Sequence, residues 1–74
     1  MAEFSFDVVR YRGKWRVLHL GRHSPSHPDQ ESAIRAARKL AKEKITAGRD
    51  AEVRLNRTDG EIVIVPLEEE VAAA

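Results

Sequence analysis

The chain has 74 residues, no cysteine and a formal net charge of +1. This length allows one small domain. The absence of cysteine excludes disulfides and removes the commonest ligand of a structural metal, so self-association is the remaining way for the domain to gain stability. No segment approaches the roughly 20 apolar residues of a membrane span, and the first residues lack the basic start and apolar run of a signal peptide. We therefore expect a cytoplasmic protein without membrane association.

The first twenty residues predict a β-hairpin. The runs 4–11 and 15–20 both alternate apolar and polar side chains and are rich in β-branched and aromatic residues. Gly13 lies between them, where a short loop requires positive φ. Alternation gives two faces, one with Phe6, Val8, Trp15 and Val17, and the other with Val9, Tyr11, Leu18 and Leu20.

A loop and a helix follow the hairpin. Residues 21–28 contain Gly, two Ser and two Pro, which favour a loop. Asp29 is placed to accept a hydrogen bond from the first turn of a helix, and Gly48 is placed to end it. Apolar residues between them recur at spacings of three and four along one stripe, namely Ala33, Ile34, Ala37, Leu40, Ala41 and Ile45.

Asp59-Gly60 predicts a second hairpin, because it joins the apolar-alternating runs 53–56 and 62–65 through a residue that adopts positive φ without strain. The second run is apolar on both faces, since Ile and Val alternate along it. Pro66 limits this strand because it cannot donate to a ladder. Residues 68–74 form a short acidic C-terminal tail in this interpretation.

The predicted order is ββαββ in one α+β domain over residues 1–67, with a four-stranded antiparallel sheet and one helix packed on one face. The strand order stays open, because two hairpins flanking a helix can join through either edge. A single helix covers only one side of a sheet. The other side is then more apolar than a solvated face, which indicates a partner. It would carry Val9, Tyr11, Leu18, Leu20 and one of two pairs, Val63 with Val65 or Ile62 with Ile64.

Motifs in a fixed order carry a family resemblance over roughly residues 6 to 65. They are Phe6-Asp7-Val8-Val9, Gly13-Lys14-Trp15-Arg16-Val17, Ser32-Ala33-Ile34, Ala36-Ala37-Arg38-Lys39-Leu40-Ala41 and Asp59-Gly60-Glu61-Ile62. Together they resemble the short bacterial and phage proteins catalogued as domain of unknown function 2188. Ser32 stands where that family usually has Glu, at an expected helix-surface position. The resemblance implies a ββαββ fold and brings no established activity.

The residue types of metal and catalytic sites are present without the arrangement such sites need. The histidines recur at spacings of four, at His19, His23 and His27. Pro25 and Pro28 disfavour the helix that would align them on a metal. Ser24 and Ser26 lie in a short polar loop of a domain too small for a deep pocket. The four glycines are isolated and form no phosphate loop. We expect a protein that is not an enzyme and has no catalytic residue, metal, cofactor or small-molecule substrate.

Charge is distributed unevenly along the chain. Residues 1–49 carry eleven Lys or Arg and five Asp or Glu, whereas residues 50–74 carry two and seven. Basic side chains beside aromatic rings can bind phosphates and bases, and Tyr11 and Trp15 lie within the basic first hairpin. Trp15 is also the natural core anchor of so small a domain. The nucleic-acid hypothesis uses Arg10, Arg12, Lys14, Arg16, Arg35, Lys39 and Lys42, although the pI of 8.2 is lower than that of a dedicated binder.

The leading hypothesis is a non-enzymatic interaction module. It predicts a homo-oligomer or a protein partner bound through the uncovered sheet face or an exposed strand edge, with nucleic-acid binding as the alternative. The residues expected to contact the partner are Val9, Tyr11, Leu18, Leu20, Val63 and Val65.

Overall fold

A computed structural model describes residues 2–67. The strands are β1 (Phe4–Tyr11), β2 (Lys14–His19), β3 (Arg22–His23), β4 (Ala51–Asn56) and β5 (Ile62–Val65), and the helix is α1 (Gln30–Thr46). All five strands join one sheet in the order β3-β2-β1-β4-β5. The predicted α+β domain with one helix is confirmed, and the predicted acidic tail lies outside the described residues.

The prediction of four antiparallel strands was wrong in two respects. β1 and β4 are parallel neighbours, with Phe6 opposite Val53, so the sheet is mixed. A fifth strand, β3, follows a tight turn in which Leu20 and Gly21 have φ of 52° and 75°. Sequence alone missed this turn because leucine rarely adopts positive φ, and because the strand it starts is only two residues long.

The parallel pairing follows from which sheet edge is free after α1. The outer side of β2 is occupied by β3 and by the segment after it, where His27 N–H donates to Trp15 C=O at 2.7 Å. The second hairpin therefore joins the outer side of β1. β3 runs in the direction of β1 and α1 returns the chain, so β4 starts again in the direction of β1.

Both ends of α1 are set by the residues that the sequence indicated. The Asp29 carboxylate accepts a hydrogen bond from Ser32 N–H at 2.7 Å, which satisfies a donor of the first turn. Gly48 has φ of 83°, and Arg49 N–H donates to Lys44 C=O at 2.9 Å to close the last turn. These contacts confirm the predicted N-cap and helix end.

The core lies between α1 and one face of the sheet. The fully buried residues of the helix are all alanines, and Ile34 packs half-buried against the same core. Leu40 and Ile45 flank this alanine stripe and are 38% and 42% exposed, so the predicted apolar stripe was too wide. Trp15 packs against the core, as the core-anchor interpretation predicts. The buried residues are Phe6, Val8, Val17, Ala33, Ala37, Ala41, Ala51, Val53 and Val65.

Candidate functional site

The sheet face opposite α1, called the uncovered face below, is polar at its centre. Asp7 on β1 and Arg54 on β4 are direct neighbours, and the guanidinium donates two hydrogen bonds of 2.8 Å to the carboxylate. Partial burial raises the pKa of Asp7, but hydrogen bonds from Arg54 and Ser5 outweigh that effect and hold the pKa below its ordinary value. This ion pair joins the two halves of the sheet and leaves no apolar centre for a partner.

The apolar part of the uncovered face lies at β5. Ile62 and Ile64 are 53% and 58% exposed, and in the β4–β5 register they lie beside Asn56 and Arg54. Among the described strand residues, no other aliphatic side chain reaches this exposure. The surface expected from the sequence is therefore present at one end of the face only.

Of the two pairs that could lie on the uncovered face, Ile62 and Ile64 do so, and the choice of Val63 and Val65 for that face was wrong. Val65 is part of the core, and Val63 pairs with Leu55, which packs against that core. Because β5 is apolar on both sides, alternation within it cannot say which side faces α1. The pairing with Val53 and Leu55 of β4 decides this, and it turns the two isoleucines outward.

The outer edge of β5 is unpaired within residues 2–67. Arg57 N–H donates to Glu61 C=O at 2.8 Å, so these two residues form a hydrogen-bonded pair next to the turn. Hydrogen-bonded and non-hydrogen-bonded pairs alternate along an antiparallel ladder. The N–H and C=O groups of Ile62 and Ile64 consequently point away from β4, and the edge offers four backbone groups beside two exposed side chains.

The other residues expected to contact a partner are spread over the sheet. Val9 and Leu18 are half-buried on the uncovered face, where Leu18 lies beside Asp7. Tyr11 is 45% exposed near the first hairpin turn, and Leu20 is 80% exposed in the turn between β2 and β3. The structure does not bring these four residues together with β5 in one patch.

A cluster of rings and cations lies on the uncovered face near the first hairpin turn. The Tyr11 ring stacks on His23 with centroids 5.2 Å apart, and the Arg12 guanidinium lies 5.3 Å from the Tyr11 centroid. Lys14 and Arg16 pair with Tyr11 and Val9 and so lie on the same face. The cluster offers exposed aromatic surface and positive charge together.

The remaining basic residues of the nucleic-acid hypothesis lie elsewhere. Arg10 pairs with Trp15, so it belongs to the side of the sheet that carries α1. Arg35, Lys39 and Lys42 are exposed on α1, whose buried residues pack on that same side. The structure therefore divides the seven predicted residues between two opposite sides of the sheet.

The histidines and the loop serine have structural contacts. His19 Nδ1 lies 3.0 Å from Ser5 C=O and its ring stacks on Phe6 at 4.1 Å, while His27 Nδ1 lies 3.1 Å from the Ser32 hydroxyl. The Ser24 hydroxyl accepts a hydrogen bond from Val17 N–H of β2 at 2.9 Å. Across residues 2–67, His, Asp and Glu side chains form no group of three or more that could hold a metal.

An open groove of about 540 Å³, which the sequence did not indicate, lies between the C-terminal half of α1 and β2. Phe6, Val17 and Leu40 contribute apolar walls, with His19 and Lys44 among the polar lining residues. The Lys44 ammonium group lies 4.9 Å from the centroid of the Phe4 ring. The groove is an apolar concavity in which His19 and Lys44 already contact the rings of Phe6 and Phe4.

In the described part of the chain, no helix has the length and apolar character required to cross a bilayer. A search of curated proteins and a search of solved structures each gave no match. A comparison with family models gave a match over residues 6–63, from β1 into β5, to the family described as "Uncharacterized protein conserved in bacteria (DUF2188)". This match confirms the resemblance carried by the sequence motifs, and the chain belongs to this family.

Proposed function

We propose that this chain is a non-enzymatic interaction module that associates with a second copy of itself through β5. The observation that carries the proposal is the exposure of Ile62 and Ile64 on an edge strand whose outer side is unpaired within residues 2–67. An exposed, apolar edge is a template for pairing with another strand. Removing an isoleucine side chain from water contributes about 1.5–3 kcal/mol when its burial is complete.

A second copy fits this edge because a two-fold contact uses the same surface twice. The isoleucines of each copy then pack against those of the other, and both copies lose part of their exposed apolar area in one contact. A chain of 74 residues has a small core, and the helix adds only alanines to its buried part. Self-association is a way for such a domain to bury more apolar surface.

The experiment is sedimentation velocity of the full chain over a concentration series at constant salt. We expect the wild type to shift from monomer towards dimer as concentration rises, and Ile64→Lys to weaken association at least tenfold. Leu20→Lys is the matched control, because it places the same charge at an exposed leucine beside β3, the opposite edge strand of the sheet. A wild type that stays monomeric, or an equal loss in both variants, contradicts the proposal.

Nucleic-acid binding is a second candidate, supported by the exposed stack of Tyr11 on His23 with Arg12 over the ring. Stacked rings beside cations suit single-stranded nucleic acid, whose bases stack and whose phosphates pair with basic side chains. The test is fluorescence anisotropy with a labelled single-stranded DNA oligonucleotide at low and high salt. Binding that weakens with salt and is lost in Arg12→Glu, but persists in Lys39→Glu on α1, supports this candidate. No binding at low salt contradicts it.

A further inference from the structure

We infer that two copies join edge to edge, with β5 antiparallel to β5 and Val63 on the two-fold axis, so that one ten-stranded sheet forms. This inference rests on the proposed self-association and specifies its geometry. The alternative geometry is a face-to-face dimer in which two uncovered faces stack. Edge pairing is favoured by the polarity of that face, by the backbone groups of β5 and by the charges at its ends.

Stacking two uncovered faces would remove the Asp7–Arg54 ion pair from water. That pair already has its two hydrogen bonds, so a partner surface would add desolvation without adding a matching contact. The half-buried side chain of Arg16 would undergo the same desolvation. Edge pairing leaves these groups on a solvated surface and brings together only the isoleucine side chains at the β5 end of the face.

The alternation of side chains limits where the two-fold axis can lie. Residues directly opposite each other in an antiparallel pair point to the same face, so a two-fold axis perpendicular to the sheet must pass through a residue position. The possible positions within β5 are Ile62, Val63, Ile64 and Val65. Each of them predicts a different set of hydrogen bonds.

The hydrogen-bonding groups of the edge select Val63. With Val63 on the axis, Ile62 of each copy lies opposite Ile64 of the other, and the outward groups of both residues form four hydrogen bonds. An axis at Ile64 gives two such bonds and sets Ile62 against Pro66, which has no N–H and whose C=O already accepts from Arg38 Nε. An axis at Ile62 sets Ile64 against Gly60, whose N–H already donates to the turn carbonyl of Arg57 at 3.0 Å. An axis at position 65 also sets Ile64 against Pro66.

The side-chain positions also favour the register with Val63 on the axis. On the uncovered face, the two Ile62–Ile64 pairs lie side by side and form one patch of four isoleucines. On the helix side, Glu61 lies opposite Val65 of the second copy. Arg38 is close to that position, because its Nε donates to Pro66 C=O at 2.8 Å. Each interface therefore contains two Glu61–Arg38 pairs between copies.

The Glu61–Arg38 contact is available only between copies. Within one chain, Glu61 precedes β5 and Pro66 follows it, so the two side chains lie near opposite ends of the strand. Across residues 2–67, the Glu61 carboxylate has no hydrogen-bond or ion-pair partner of its own. Edge pairing supplies a cation for this unpaired carboxylate.

Cysteine scanning tests the register in the full chain, which has no native cysteine. Across the axis, the two Val63 Cα atoms form a non-hydrogen-bonded pair about 4.5 Å apart, within the disulfide range of about 4.4–6.8 Å. We expect Val63→Cys to form a covalent dimer under mild oxidation. Ile62→Cys alone is expected to cross-link slowly, because its two copies lie about 8 Å apart in this register. A mixture of Ile62→Cys and Ile64→Cys is expected to give the mixed dimer.

The outcomes separate this inference from the proposed function. Fastest cross-linking of Ile64→Cys with itself overturns the Val63 register. Concentration-dependent dimerisation that is lost in Ile64→Lys, without any β5 cross-link, overturns edge pairing and leaves the proposed self-association standing. A wild type that is monomeric at every concentration overturns both.

Charge exchange tests the contact between copies by an independent route. We expect Glu61→Arg and Arg38→Glu each to weaken dimerisation by about fivefold or more, since each removes two pairs and creates two like-charge contacts. The double variant carrying both changes is expected to recover the wild-type dimerisation constant. Arg35→Glu is the control on the solvated side of α1 and is expected to change little. A double variant as weak as either single variant overturns the inferred pairs.

Discussion

The two edges of this sheet are built differently. β3 has two residues, both polar and exposed, and the segment after it stays hydrogen-bonded to β2. β5 has four residues, all Ile or Val, and no charge or proline lies between Ile62 and Val65. Short strands, charges and prolines are the usual means of blocking an edge, so within residues 2–67 the β3 edge is closed and the β5 edge is open.

This difference sets what self-association can produce. A domain with two open edges can add copies at both and extend into a fibre, whereas a domain with one open edge stops at a closed pair. The prolines at 25 and 28 follow β3 and prevent a regular strand from continuing there. With one open edge among residues 2–67, a dimer is the largest assembly that we expect to form through this sheet.

The largest expected effect comes from placing proline at two adjacent positions of the open edge. The Val63 N–H donates to β4, so Val63→Pro should lower the free energy of unfolding by about 2–3 kcal/mol. The Ile64 N–H points outward, so Ile64→Pro should cost less stability and abolish self-association. Urea denaturation at low protein concentration and sedimentation velocity measure the two effects. Equal loss of stability in both variants would show that the β5 edge is oriented differently.

The closed edge depends on a side chain as well as on backbone pairing. The Ser24 hydroxyl accepts a hydrogen bond from Val17 N–H at 2.9 Å. Ser24→Ala leaves that N–H without this acceptor and should lower the free energy of unfolding by about 1–2 kcal/mol. Ser26→Ala, in the exposed part of the same loop, is the control for urea denaturation. Equal stability of the two serine variants would contradict the stabilising role of the Ser24 side chain at the β3 edge.

The ion pair between the two halves of the sheet predicts a pH dependence. The folded-state pKa of Asp7 lies below its ordinary value of 3.8, so the stabilisation is present above about pH 4 and is lost as pH falls through the folded-state pKa. Asp7→Asn should cost about 1 kcal/mol at pH 7. The gap from wild type should narrow as pH falls below about 4 in urea titrations. A gap that stays constant over that range would contradict this assignment.

The smallest expected effect is a gain at the closed edge. Leu20 has φ of 52° and is 80% exposed, so it is strained in the turn and contributes little burial. Asparagine adopts this conformation more readily, and Leu20→Asn should raise the free energy of unfolding by about 0.5–1 kcal/mol. Thermal denaturation followed by circular dichroism detects a gain of this size. A lower melting temperature would show that the Leu20 side chain stabilises the fold although it is exposed.

The local elements follow from the sequence because their signals are local. Asp29 and Gly48 set the helix ends, and Gly13 and Gly60 supply positive φ in the two predicted hairpin turns. The turn at Leu20-Gly21 was missed, because its first residue is held at positive φ by the pairing of β3 with β2. This pairing is decided by hydrogen bonds between segments, and a local pattern does not report them.

The candidate site was likewise predicted in part from local sequence and decided in part by the pairing of strands. An apolar surface opposite the helix was predicted from the excess of apolar side chains, and exposed isoleucines are present there. Which residues of β5 would be exposed was not predictable from this strand alone, because Ile-Val-Ile-Val is apolar on both faces. Val63 and Val65 face α1 only because they are registered with Leu55 and Val53 of the neighbouring strand.

The sequence by itself determined the α+β class, the single helix with its ends, and the two hairpins joined at Gly13 and Gly60, since each depends on residues close together in the chain. Only the tertiary structure decided the parallel pairing of β1 with β4, the closed β3 edge and the outward side of β5. These features depend on which strand edge is free when α1 ends, and on side-chain alternation being matched between strands. Both conditions are met by residues far apart in the sequence, so they are settled only when the sheet assembles.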